Sequence, residues 1–123
     1  MALLLDTNII VDYLRERAAA RDFVEALNGK PRVSVVTVVE LFSGARSRRE
    51  EDRINGLLDA AVVLPVTYEI AKRAGQAMKH YQKSHGLDDF DALIAATAEH
   101  YGLALATLNV KHFPMLDGLK RAY

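Results

Sequence analysis

Three acids stand where an α/β chain presents groups to a ligand. Asp6 ends the apolar run Ala2–Leu5, Glu40 falls four residues after the β-branched run Arg32–Val36, and Asp91 opens an alanine-rich helical stretch. Asn109 follows a fourth apolar run, Leu103–Thr107. Open parallel sheets bind ligands in the crevice beyond the carboxyl ends of their strands, so these side chains can converge on one pocket. Carboxylates brought together repel one another unless a proton or a cation sits among them. Hard oxygen donors favour Mg2+ or Mn2+ over zinc. Such ions hold scissile phosphate oxygens and generate a nucleophilic hydroxide near neutral pH, the chemistry of phosphodiester hydrolysis. They also reverse the local sign, which lets an acidic pocket accept a polyanion in a chain whose formal charge is zero.

Each acid also has a purely structural role open to it. Asp6-Thr7-Asn8 can cap a helix, which is worth about 1 kcal/mol. Thr37-Val-Val-Glu40 matches the capping box, in which the glutamate reaches back to the cap's backbone N–H. Asp88, Asp89 and Asp91 suit a helix N-terminus through the macrodipole, and capping is the role read for Asp88 and Asp89. Capping does not, however, require all three acids to lie on the same edge of one sheet.

The elements that position these residues follow from periodicity. Apolar runs at Ala2–Leu5, Arg32–Val36, Ala61–Val66 and Leu103–Thr107 read as four strands. Helical spacing recurs from Ile9 to Leu14, Ala19 to Leu27, Thr37 to Gly44, Arg48 to Leu58 and Thr67 to Lys83. The clearest helix holds Phe90, Leu93, Ile94, Thr97, Ala98 and Tyr101 on one stripe, and Gly102 stops it. Strands alternating with helices predict an α/β fold: a three-layer sandwich with a central parallel sheet of about four to five strands.

At 123 residues, without repeats or linkers, the expectation is one domain over residues 1–123. The absence of cysteine excludes a disulfide scaffold and thiolate-bound zinc, and it suits a reducing cytoplasm. No stretch approaches the roughly 20 apolar residues of a membrane span, and the apolar start is too short for a signal-peptide core. With 16 basic and 16 acidic residues, any attraction for phosphate must be local or supplied by bound cations. Arg46, Arg48 and Arg49 after the Glu40 helix, and Lys111 beside Asn109, are candidate RNA contacts. A solvated helix face explains the arginines equally, because Glu50, Glu51 and Asp52 follow at once.

Three blocks carry a family resemblance. LLLDTNIIVDYL near the start, SVVTVVELFSGA in the middle and DDFDALIAATAEHYGLALATLNVKHFPMLDGL near the end resemble PIN domains of the VapC toxin group, in the family's order and over nearly the whole chain. The resemblance implies an endoribonuclease with acidic or polar residues around Mg2+ or Mn2+. By motif, Asp6, Glu40 and Asp91 are its metal-binding and catalytic acids, and Asn109 matches the fourth, asparagine-bearing position. An amide oxygen there can ligate or orient a water. His112 stands where many relatives carry an acid, which bears on a second metal site. Thr7, Asn8 and Thr107 resemble the residues that orient the ligands from behind. The resemblance also implies RNA as substrate, a homodimer and a VapB-like antitoxin that places a basic side chain against the acidic pocket.

Other classes fit less well. Larger PIN-like nucleases acting on DNA carry elements this short chain lacks. A phospho-receiver domain needs an aspartate at the end of the third strand, where the chain reads AVVLPVTYE. A PIN fold that only binds is disfavoured by the three retained acids.

Overall fold

The computed structural model describes residues 2–123; Met1, the first residue of the expected domain, lies outside them. Strands and helices alternate. β1 (Leu3–Leu5), α1 (Thr7–Leu14) and α2 (Ala18–Glu25) are followed by β2 (Arg32–Ser34), α3 (Val35–Ser43) and α4 (Arg48–Asp59). β3 (Val62–Leu64), α5 (Tyr68–His85), α6 (Asp89–His100) and β4 (Ala104–Ala106) complete the order, with a 3-10 turn at Val110–His112.

β1 pairs in parallel with β4, Leu4 opposite Leu105, and β2 pairs in parallel with β3, Val33 opposite Val63. β1 also contacts β2, so the two pairs lie side by side. The expected α/β class holds. The strands are all parallel and four in number, as expected; they form two pairs, among the described residues no ladder joins the pairs, and each strand is three residues long. The strands are short because their ends are taken by other bonds. Ser34 leaves the strand to cap α3, and Pro65, which lacks an N–H, follows β3. A parallel bridge from Thr107 to Arg121 lays the C-terminal segment beside the end of β4.

Alternation along the strands divides the core into layers. Leu4 and Leu105 pack with Ile94, Ala95 and Ala98 of α6. Leu5, Val33 and Ala106 face the other way, against Ile9 and Ile10 of α1 and Ile54 of α4. Burial on both faces of β1 and β4 is why those strands read as unbroken apolar runs, whereas Val62 of β3 is exposed. Beyond α6, Ile70 and Ala74 of α5 pack on Ala92 and Ala96.

Helix starts follow local chemistry. Thr67 caps α5 by accepting from the Ile70 N–H, and Gly86, at φ +62°, ends that helix in the left-handed region that glycine tolerates. The second strand was expected to run to Val36, with Thr37 opening the next helix in a capping box. Instead the Ser34 hydroxyl accepts from the Val36 N–H at 3.1 Å, α3 starts at Val35, and Thr37 is fully buried inside it. A hydroxyl two residues upstream of a free N–H is a better-placed cap than one already within the helix. Glu40, with no cap to serve, is free to point at another element. Among the described residues, no helix is long and apolar enough to cross a membrane.

Candidate active site

Asp6 is the residue at which β1 becomes α1. Its N–H donates to Ala106 O of β4 at 2.9 Å, which pins its backbone to the sheet edge. Its side chain is 5% exposed and accepts two bonds: from the Thr7 N–H at 2.8 Å on Oδ1 and from the Thr107 hydroxyl at 2.7 Å on Oδ2. The capping role and a place at the sheet edge are therefore held by the same carboxylate. Thr107, spending its proton on Asp6, accepts from the Asn109 N–H at 3.0 Å and from Asn8 Nδ2 at 3.5 Å. Buried Asn8 Oδ1 has no hydrogen-bond partner.

Glu40 arrives from α3. Its Oε1 accepts from the Thr7 hydroxyl at 2.6 Å. Thr7 has one hydroxyl proton, so in the 2.9 Å contact between Thr7 Oγ1 and Thr37 Oγ1 the donor is Thr37. The chain Thr37 to Thr7 to Glu40 thus ties α3 to the residue next to Asp6. Thr37, read from sequence only as a cap, is the contact that sequence reasoning missed.

Asp91 sits in the first turn of α6, where Asp88 is the cap, accepting from the Phe90 and Asp91 N–H groups. Asp89 lies exposed in the same turn and makes no cap bond. His112 Nδ1 stands 3.4 Å from Asp91 Oδ2. Asn109 is exposed, and what ties it to the group is its backbone N–H on Thr107.

The three acids feel one another. Burial is the main cause that raises Asp91 to about 6, followed by the charges of Asp6 and Asp88, with His112 offsetting part and Glu40 adding to it. Burial also pushes Glu40 up, opposed by the Thr7 bond and reinforced by Asp6 and Asp88. Asp6 is raised by burial against the opposing pull of Thr107, Thr7 and His112. Among the described residues, of the three only Asp91 has an ion-pair partner, and that is a histidine rather than a lysine or arginine.

These residues suit a hard divalent cation in the chemistry of their donors: carboxylate oxygens held at raised proton affinity, with a partnerless amide oxygen close behind. They do not yet ring one. Among the described residues, no three histidine, aspartate or glutamate side chains are drawn in closely enough to hold an ion.

Beside Glu40 opens a cavity of about 360 Å3 between α1, α3 and α4. Leu14, Leu41 and Ile54 form its apolar floor, and Arg15, Arg46 and Arg53 supply positive charge. Of the candidate RNA contacts, Arg46 lines this cavity, and its backbone N–H donates to Glu50. Arg48 and Arg49 are exposed on α4 and do not line it, while Lys111 is exposed in the turn before His112. Arg15 and Arg53 were missed, because only the packing of α1 against α3 and α4 reveals that they share a wall with Arg46.

A mixed-charge α/β chain with converging acids at one sheet edge is one of the PIN domains: the family model of that description matches residues 3–118, and the chain belongs to the PIN domain family. Within it, the chain is 45% identical to Ribonuclease VapC10 of Mycobacterium tuberculosis, over 96% of this chain and 90% of that protein. It is 40% identical to Ribonuclease VapC19 of the same organism, over 98% of each. Among solved structures, it superimposes on a chain of a toxin–antitoxin complex from Klebsiella pneumoniae with a TM-score of 0.85, at 30% identity, covering 99% of this chain and 98% of that one. VapBC-1 from nontypeable Haemophilus influenzae gives 0.74 at 27% identity, covering 98% and 96%.

Proposed function

We propose that this chain is a divalent-metal-dependent endoribonuclease, the toxin of a toxin–antitoxin pair, acting in the cytoplasm as one domain over residues 1–123. The observation that carries the reading is the placement of three acids from separate elements, Asp6 after β1, Glu40 on α3 and Asp91 on α6, near enough for the charges of Asp6 and Glu40 to raise Asp91, with no lysine or arginine paired to any of them among the described residues. Similarity to the two mycobacterial ribonucleases supports RNA as the substrate. Similarity to chains of toxin–antitoxin complexes supports a VapB-like antitoxin partner.

In this reading Asp6, Glu40 and Asp91 hold Mg2+ or Mn2+, and Asn109 completes the set. When bound, the ion offsets charge on the scissile phosphate and lowers the pKa of a water so that it can attack phosphorus near neutral pH. Thr107 and Thr7 fix both Asp6 oxygens, and Thr37 with Thr7 fixes Glu40, so little motion is left to be lost when phosphate arrives. Asn8 supports Thr107 from α1. Arg15, Arg46 and Arg53 draw the flanking strand into the cavity beside Glu40, with Arg48, Arg49 and Lys111 on the approach. An antitoxin would silence the site by setting an arginine or lysine against the same carboxylates. Val39, 54% exposed, and Val35 on α3, with Tyr68 on α5, offer apolar surface for a homodimer.

The experiment is Asp6→Asn, assayed on RNA with Mg2+ or Mn2+ added. Cleavage is expected to fall by more than about 100-fold, the scale of losing one transition-state contact. Activity near that of the unsubstituted protein would sink the assignment.

A further inference from the structure

Among the described residues, His112 is the one basic group whose charge reaches both Asp6 and Asp91. Its Nδ1 lies 3.4 Å from Asp91 Oδ2, with the imidazole 57% and the carboxylate 18% exposed. That is an ion-pair distance but longer than the roughly 2.7–2.9 Å of a charge-assisted N–H···O bond, so no hydrogen bond joins the two groups. It is close to the separation of two neighbouring donors on one octahedral ion, about 3 Å when both bonds are near 2.1 Å. The two groups also come from different elements. Asp91 projects from the first turn of α6, and His112 from the turn that follows β4, on the side where Thr107 and Asn109 already join the site.

We propose that His112 Nδ1 is a direct ligand to the divalent ion held by the three acids, making a mixed nitrogen–oxygen site that selects a transition-metal ion such as Mn2+ over Mg2+. The proposal rests on the metal-dependent reading above and deepens it. Mg2+ demands a near-ideal octahedron of oxygens and gives up its waters reluctantly, whereas imidazole is a donor for transition-metal ions. A neutral donor also adds no further negative charge beside Asp6, Glu40 and Asp88, which already raise the proton affinity of Asp91. His112 thereby trades Mg2+ affinity for a ligand set that repels itself less.

Pulsed EPR on Mn2+ bound to the purified protein tests this, because a coordinated imidazole nitrogen gives a 14N coupling that oxygen ligands lack. The expected result is a nitrogen coupling in the unsubstituted protein that disappears in His112→Ala, with Mn2+ affinity lower by at least about 10-fold, the loss that even an outer-shell partner brings. In His112→Asp, the ratio of Mn2+ to Mg2+ affinity is expected to fall by a similar factor. His112 is exposed in a surface turn, and circular dichroism of both variants checks that the fold is intact. Bound Mn2+ with no nitrogen coupling, or a coupling that survives His112→Ala, overturns the proposal. If Asp91→Asn still weakens Mn2+ binding in that case, the carboxylate site stands without His112. Failure of Mn2+ to bind at all overturns both.

Discussion

Burial and the neighbouring carboxylates raise Asp91 from its ordinary 3.8 to about 6, and His112 offsets only part of the rise. Raised proton affinity in the folded state has a definite sign for stability. Between about 4 and 6 the folded protein binds more protons than the unfolded chain, so without metal its stability falls as pH rises through that window. Asp6 and Glu40 are shifted in the same direction and steepen the fall. Above pH 6 the repulsion is fully present. We predict that Asp91→Asn, which removes one of these charges, raises the metal-free melting temperature at pH 7 by about 3–5 °C, the equivalent of roughly 1 kcal/mol. At pH 4, where the carboxyl is largely protonated, the gain should vanish. Calorimetry at the two pH values in the presence of a chelator checks both, and a variant less stable than the parent at pH 7 would contradict the electrostatic account.

At the scale of elements, the site depends on α1 and α3 keeping one register. Thr7 Oγ1 accepts from Thr37 and donates to Glu40, so one hydroxyl near the start of α1 holds two residues of α3. Thr7→Val keeps the shape and removes both bonds. The expected cost is about 1–3 kcal/mol in urea unfolding, since the buried Thr37 hydroxyl loses its acceptor, together with slower RNA cleavage as Glu40 loosens. Stability and cleavage both unchanged would show that this link does not position Glu40. The element order, the two-sided burial of β1 and β4 and the places of Asp6, Glu40 and Asp91 were legible in the sequence, because apolar runs and helical stripes record burial directly. The cap of α3 was not. Ser34 and Thr37 carry the same hydroxyl chemistry three residues apart, and only the strand end decides which serves. The division of the sheet into pairs was also hidden, because three-residue strands read the same whether or not a ladder joins them. The shared wall of Arg15, Arg46 and Arg53 left no local pattern, being made by the packing of separate helices.

Taken whole, a chain with 16 basic and 16 acidic residues has no general attraction for nucleic acid. In the proposed reading, binding rests on a cation held by the acids and on the arginine-lined cavity next to Glu40. On a single strand, each phosphate contact contributes about 0.7 to the slope of log affinity against log salt. Arg53→Ala should therefore weaken binding of single-stranded RNA in a salt titration and lower that slope by about 0.7, whereas Arg49→Ala, outside the cavity, should change it less. Equal effects from the two substitutions would argue that the arginines act as a diffuse field and not as a path. The central claim is that carboxylates from three elements direct water, by way of a divalent ion, at an RNA phosphorus. End-group analysis of RNA cut by the purified protein tests it most directly. The account predicts 5′-phosphate and 3′-hydroxyl ends that appear with Mn2+ or Mg2+ and not with a chelator. Fragments ending in 2′,3′-cyclic phosphate, or cleavage that persists in the chelator, would contradict it.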